Sequence, residues 1–311
     1  MSDAVPTPAP GTPVPSSAVP DSAVPDSPGS QASARPEVTR RRPDARHYTH
    51  LQEMWGTVVV IDLVEGTRPW PSDEELAATI HEAVDLMHWV DAVFSPFRET
   101  SLVSALRAGR LAETDLRAAD PDHAAMMEVI AACRWGREVT GGRFDPWAVP
   151  GGFDPSGYVK GWAAELVADL LVERGLDNVC VNAGGDIVTR GHPVPGQPWR
   201  IGIRHPDDPE AIVRVEELED AAIATSGAYE RGDHIVDPRT HRPAHGARSA
   251  TVVALNAGLA EILSTALIVA GRDGAIWAAG ERGCRAYVVD PAPADTAWST
   301  SWVGDRLPKA S

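Results

Sequence analysis

Five polar, glycine-marked segments hold the side chains of this sequence best able to do chemistry. The first is Gly141-Gly142-Arg143-Phe144-Asp145-Pro146, and the second runs from Phe153 to Gly161 with Asp154, Ser156, Gly157 and Lys160. The third is Asn182-Ala183-Gly184-Gly185-Asp186. The fourth is Thr225-Ser226-Gly227, followed by His234 and Asp237, and the fifth pairs Glu261 with Thr265. Singly, each has a plain structural reading. Gly-Gly-Asp after a strand is a tight turn, because glycine adopts positive φ cheaply and Asp bonds its own backbone. A lone His234 is more often structural than catalytic, and Glu261 with Thr265 can be one polar helix face. Together they describe more. Glycine turns expose backbone N–H groups, and with a lysine and small hydroxyls these suit a pyrophosphate. A carboxylate and a threonine one helical turn apart offer hard oxygen ligands of the kind Mg²⁺ accepts while sharing substrate phosphates. A histidine near a carboxylate can take a proton at neutral pH. The residues alone reach metal-assisted handling of a phosphate-bearing ligand.

These side chains need elements to position them. Met54 to Leu63 reads as a strand through its run of Val58, Val59, Val60 and Ile61. Ser72 and Glu75 have capping-box spacing, and Leu76, Ile80, Val84, Met87 and Val90 follow at helical intervals. A second helix is expected after Asp120-Pro121 through Trp135. A third runs from near Lys160 to Arg174, with Gly175 as its stop. Short strands come next at 179–181, 199–203, 221–225 and 251–255, then a helix over 257–270 and a strand over 286–289. Strands follow strands and helices are grouped, which predicts an α+β fold with mainly antiparallel sheet and packed helices.

The first 46 residues are a different material, rich in Pro, Ala and Ser, and read as a disordered tail before a single domain over 47–311. No apolar h-region and no apolar run of about 18 residues is seen, so the expectation is a cytoplasmic protein without a membrane span. Lys and Arg number 28 against 44 Asp and Glu, and the net charge of −16 argues against nucleic-acid binding. The three cysteines, Cys133, Cys180 and Cys284, lack disulfide or metal spacing and are expected as free buried thiols.

The five segments, in this order, together with Met54-Trp55-Gly56-Thr57 and Phe94-Ser95 with Ser101, resemble the FAD:protein FMN transferase family (ApbE-type flavin transferases) over about three quarters of the chain. The resemblance implies an ApbE-like, T-fold-related α+β architecture with a FAD cleft. It implies Mg²⁺-dependent transfer of FMN from FAD to a Ser or Thr hydroxyl of an acceptor protein, with release of AMP. It places a metal on the backbone carbonyl of Gly157 and the side chains of Glu261 and Thr265. It assigns FAD contacts to Met54, Gly56, Thr57, Asp154, Ser156, Asn182, Gly184, Gly185, Asp186, Thr225, Ser226 and Gly227. His234 would be the base for the incoming hydroxyl, Asp237 would orient it, and Lys160 would stabilise the pyrophosphate as AMP leaves. The sequence departs from the family pattern at several points. Glu261 stands where the family usually has Asp, Arg107 where it commonly has Asn, and Phe97 where it has an aromatic hydroxyl. His241 stands where Gly is common, and Trp55 interrupts the Met-Gly-Thr signature. Two alternatives stay open: attack by water, which would make a FAD pyrophosphatase, and a non-catalytic FAD-binding protein.

Overall fold

The computed structural model describes residues 45–227, 235–281, 283–290 and 300–304. The tail through residue 44, and His234, lie outside the described residues. The chain begins with strands β1 (His47–Met54) and β2 (Thr57–Val64), then helices α1 (Asp73–Phe94), α2 (Leu102–Arg107), α3 (Pro121–Val139) and α4 (Ser156–Glu173). Seven strands follow: β3 (Asn178–Ala183), β4 (Asp186–Arg190), β5 (Trp199–His205), β6 (Asp208–Leu218), β7 (Ala222–Gly227), β8 (Val236–Asp237) and β9 (Arg242–Pro243). Then come β10 (Ser249–Ala254), α5 (Ala257–Ala270), α6 (Ala275–Gly280), β11 (Arg285–Val289) and β12 (Thr300–Gly304). Eight strands form one sheet in the order β1-β2-β3-β4-β7-β10-β11-β12, and every pairing in it is antiparallel. The α+β, mainly antiparallel expectation is met.

The pleat sorts the sheet into two faces. Val59, Ile61, Leu63, Val179, Val181 and Ala183 point into one core with Leu76, Ile80, Met87, Val167 and Leu171 from α1 and α4. Ala224, Val252 and Ala254 do the same against Leu259, Leu263 and Leu267 of α5. Cys180, Ile187, Ile223 and Val253 point the other way, onto Trp199, Ile201, Ile203 and Leu218 of the β5–β6 hairpin. The helices thus cover one face and the hairpin part of the other. All three cysteines are free and buried, as expected, and burial raises their thiol pKa values.

Three expectations about the elements need correction. Met54 to Leu63 is not one strand. Trp55 and Gly56, with φ of 55° and 70°, form a two-residue turn in which Met54 ends β1 and Thr57 begins β2. Positive φ at both positions is the hairpin turn geometry whose twist matches the strands, and the β-branched run after it hid β1. Helix α4 starts a turn earlier than Lys160, at Ser156, and passes through a non-helical Gly157 (φ −77°, ψ 16°). Asp186 is not only a turn residue but the first residue of β4. The capping box at Ser72 and Glu75 is formed in both directions, and Gly175 ends α4 with φ 93°. No helix among the described residues is long and apolar enough to cross a membrane.

Candidate functional site

Strands, helices and turns from along the chain meet at one large cleft of about 2640 Å³. Its wall includes Met54, Gly56 and Thr57 of the first hairpin and Asp154, Ser156, Gly157 and Lys160 at the start of α4. Asn182, Gly184, Gly185 and Asp186 come from the β3–β4 turn, Thr225, Ser226 and Gly227 from the end of β7, and Glu261 and Thr265 from α5. The cleft therefore gathers every described candidate metal, FAD and catalytic residue except Asp237. Gly184 is required where it stands: φ is 64°, and a Cβ there would lie 2.6 Å from Thr57 Oγ1. The β3–β4 turn thereby packs directly on the hairpin that carries Thr57.

The charged centre of the cleft is built by α4, β4 and α5. Lys160 Nζ forms an ion pair with Asp186 Oδ2 and lies 3.7 Å from Glu261 Oε1. Both acids are nearly removed from solvent, Asp186 at 2% and Glu261 at 5% exposure. Glu261 Oε2 also accepts the backbone N–H of Gly161 at 2.8 Å. Its carboxyl is pushed up to about 8, first by burial and next by the neighbouring Asp186 carboxylate, against the lowering pull of Lys160 and of that N–H. Glu261 does not face solvent. Lys160 thus stands between two buried acids, one of them pushed toward its neutral form.

Hydroxyls lie beside this triad. Ser226 Oγ is 2.9 Å from Ser264 Oγ and 3.4 Å from Thr265 Oγ1, so the end of β7 is tied to the polar face of α5. On the other face of the sheet Thr225 Oγ1 meets Thr251 Oγ1 at 2.9 Å, as their opposed positions in the register require. A Cβ on Gly157 would lie 3.1 Å from the Phe144 ring and 3.7 Å from Thr265 Oγ1, which places the α4 kink against α5. Asp154 Oδ1 accepts from the backbone N–H of Ser156 at 3.0 Å and from its hydroxyl at 2.6 Å, and so organises the turn before the kink.

Asp237 sits apart from these groups. Its two oxygens receive the Arg239 guanidinium at 3.0 and 2.8 Å, and these bonds hold its carboxyl below the usual range. Of the departures from the family pattern, His241 adopts φ 54°, a conformation that glycine takes without strain. Arg107 donates to the carbonyls of Pro150 and Gly151 at 2.8 and 3.0 Å, holding the loop ahead of Asp154. Phe97 is 92% exposed at the cleft rim.

Sequence reasoning passed over three groups near the site. Arg143 and Asp145 line the cleft within the first of the five polar segments, where neither was assigned a role. Glu165, 5% exposed, lies behind it. The available signal for Glu165 was a single acid inside the otherwise apolar run Trp162-Ala163-Ala164-Glu165-Leu166-Val167. No group of three or more His, Cys, Asp or Glu able to hold a metal occurs among the described residues.

Fold and cleft together define an antiparallel α+β protein whose ligand site combines glycine turns, hydroxyls and a Lys–acid centre. Residues 150–288, which carry most of that site, match the ApbE family model. A FAD:protein FMN transferase of Vibrio cholerae is 38% identical over 130 residues, 39% of this chain and 39% of the relative. One from Klebsiella pneumoniae is 34% identical over 140 residues, 42% of this chain and 40% of the relative. The chain thus spans about two fifths of the length of these curated relatives. A FAD:protein FMN transferase of Treponema pallidum is 28% identical over 278 residues, 76% of this chain and 75% of its own. Among solved structures, the flavin transferase ApbE of Vibrio cholerae superposes with a TM-score of 0.66 at 21% identity, covering 83% of this chain and 97% of that one. The ApbE protein of Thermotoga maritima gives 0.67 at 24%, covering 78% and 94%. These likenesses establish the fold.

Proposed function

We propose that this protein is an enzyme that moves the FMN part of FAD onto a Ser or Thr hydroxyl of an acceptor protein and releases AMP, with Mg²⁺ as its divalent ion. The observation that carries the reading is the meeting of Lys160, Asp186 and Glu261 on one cleft wall, inside the segment that matches the ApbE family. In this reaction the hydroxyl oxygen forms a bond to the FMN-side phosphorus. The bond from that phosphorus to the bridging oxygen breaks, and AMP departs with the electron pair. The hydroxyl proton goes to a base, assigned here to His234, with Asp237 in the orienting role. Such transfers rest on positioning and charge neutralisation more than on covalent help from the protein. Lys160 brings the positive charge, while the turns at Gly184, Gly185 and Gly227 let a phosphate-bearing ligand approach the backbone. Met54, Gly56, Thr57, Asp154, Ser156, Asn182, Thr225 and Ser226 are the remaining proposed FAD contacts.

The residues fit a hard divalent cation. Glu261, Thr265 and the carbonyl of Gly157 would hold it, all through oxygen, and Glu261 is a buried carboxyl that a cation would draw to its charged form. With no group of three acidic or imidazole ligands among the described residues, such an ion would draw on neutral oxygens, waters and phosphate, which is the habit of Mg²⁺. Once bound, it would supply charge neutralisation at the pyrophosphate.

Chromatography of a reaction holding the full chain, FAD and Mg²⁺, with and without a candidate acceptor, tests the reading. AMP is expected to appear with acceptor present and without a matching amount of free FMN. Free FMN equal to AMP would make water the acceptor. No AMP under any condition would overturn the activity.

A further inference from the structure

Glu165 lies on α4 one helical turn beyond Gly161, buried at 5% exposure, and it touches no cleft surface. Its two oxygens are used on two different elements. Oε2 accepts the backbone N–H of Ala257 at 3.0 Å, and Oε1 accepts from Arg190 Nη2 at 3.3 Å. Ala257 is the first residue of α5, where a backbone N–H has no partner within the helix and a negative charge is favoured. Arg190 is the last residue of β4, and its guanidinium also holds Asp169 of α4, with Nε 2.9 Å from Oδ1.

Each arm ends a short, rigid distance from a group of the charged centre. Glu261 follows Ala257 by one turn of α5, and Asp186 precedes Arg190 by four residues on β4, on the same face of the strand. Lys160 lies on α4 itself, and Gly161, whose N–H binds Glu261, shares the face of α4 that carries Glu165. Helices α4 and α5 therefore meet through two polar contacts one turn apart, Gly161 to Glu261 and Glu165 to Ala257, and the second also grips β4.

We propose that Glu165 is a positioning residue whose buried carboxylate fixes α4, β4 and α5 against one another, and so sets the separation of Lys160, Asp186 and Glu261. The proposal deepens the flavin-transfer reading and rests on it for its kinetic consequence. A carboxylate can accept from both donors at once. An amide of the same shape offers one oxygen, and its NH₂ must face either the Ala257 N–H or the Arg190 guanidinium. Glu165→Gln therefore breaks one arm while keeping the volume.

The test uses the full chain and Mg²⁺ alone as the probe. In Glu165→Gln, calorimetry should show Mg²⁺ binding about tenfold weaker, the scale expected for groups that orient ligands without touching the ion. The kcat for AMP release should fall by a similar factor while KM for FAD holds, and Glu165→Asp should restore part of both. Hydrogen exchange at the Ala257 and Gly161 amides should quicken. Mg²⁺ affinity and kcat equal to wild type, with only a lower melting temperature, would reduce Glu165 to a structural ion pair and overturn the proposal. If the wild-type protein itself neither binds Mg²⁺ nor releases AMP, the flavin-transfer reading fails. The clamp is then decided by amide exchange, faster in Glu165→Gln if it exists and unchanged if it does not. Should Glu165→Gln not fold, Arg190→Lys keeps the charge but loses the planar fork that reaches Glu165 and Asp169 together. The same losses are then expected, smaller in size, and their absence counts against the proposal.

Discussion

At the scale of single residues, Glu261 is where burial and chemistry conflict most sharply. A carboxyl raised to about 8 is held in a place where burial and Asp186 both oppose its charge. An acid pushed toward its neutral form there would regain its charge beside a bound cation, which makes it well suited to hold one. Glu261→Gln keeps size and removes the charge, so Mg²⁺-dependent AMP release should be lost. Glu261→Asp should be tolerated or improve the rate, because Asp is the family's usual residue. Thr265→Val, which loses one neutral oxygen and keeps the shape, should fall between them. Full turnover of Glu261→Gln at limiting Mg²⁺ would remove Glu261 from the metal. Much of the site was legible at this scale, since glycines beside polar side chains are rare enough in a core to be noticed. What could not be read was which oxygen takes which donor. That Glu261 spends Oε2 on the Gly161 N–H depends on how closely two helices approach, and no local spacing encodes it.

At the scale of elements, the α4–α5 contact decides where the acids stand. A Cβ on Gly161 would lie 2.8 Å from the Ala257 carbonyl oxygen and 3.1 Å from Glu261 Oε2. Gly161→Ala must push the helices apart and should cost about 1–3 kcal/mol of stability in urea unfolding. It should also lower Mg²⁺-dependent turnover, and a variant with wild-type stability would mean the helices part without cost. A second junction lies at the α4–β3 turn. Asp177 Oδ2 accepts from the Thr67 N–H, the Thr67 hydroxyl and the Arg68 N–H at 2.9 to 3.1 Å, and Arg68 Nε stands 3.0 Å from Oδ1. Burial alone would raise this carboxyl, but the hydrogen bonds and the guanidinium outweigh it and hold it low. A carboxyl lowered in the folded state adds stability above its unfolded pKa and loses it as pH falls through the folded value. Asp177→Asn should therefore cost about 2 kcal/mol at pH 7, and the gap to wild type should close as pH drops below about 4. A gap that persists in acid would assign the effect to packing. Long periodic elements such as α1 and α3 were plain in the sequence, as was α5. The β1 strand was not, because His47-Tyr48-Thr49-His50 carries little apolar alternation and its partner β2 supplies the pairing. The β6 strand was missed because Arg214, Glu216 and Glu217 break its apolar alternation, and Glu216 is buried through a pairing with Arg285 that local sequence does not show.

At the scale of the whole molecule, one antiparallel sheet holds helices on one face and a ligand cleft framed by turns at its end and other face. The Pro-rich tail was expected to end at residue 46. Ala45, however, packs beside the core of the β5–β6 hairpin, and Arg46 bonds Glu65 through both its N–H and its carbonyl. A chain that begins at Ala45 should melt within a few degrees of the full chain, since the removed composition has little apolar surface to bury. A larger drop in a thermal scan would mean the tail packs on the folded part. The fold class was readable because grouped helices and successive short strands exclude alternating α/β designs. The cleft itself was not, because it forms only when segments more than a hundred residues apart, such as Gly56 and Lys160, line one wall.

The central claim is covalent transfer of FMN to protein, and intact-mass spectrometry of a candidate acceptor tests it most directly. After incubation with the full chain, FAD and Mg²⁺, the acceptor should gain one FMN phosphoester on a Ser or Thr. That gain should vanish when Mg²⁺ is chelated or when that residue is changed to Ala. An acceptor of unchanged mass while FAD is consumed to free FMN and AMP would contradict the account and leave a hydrolase in its place.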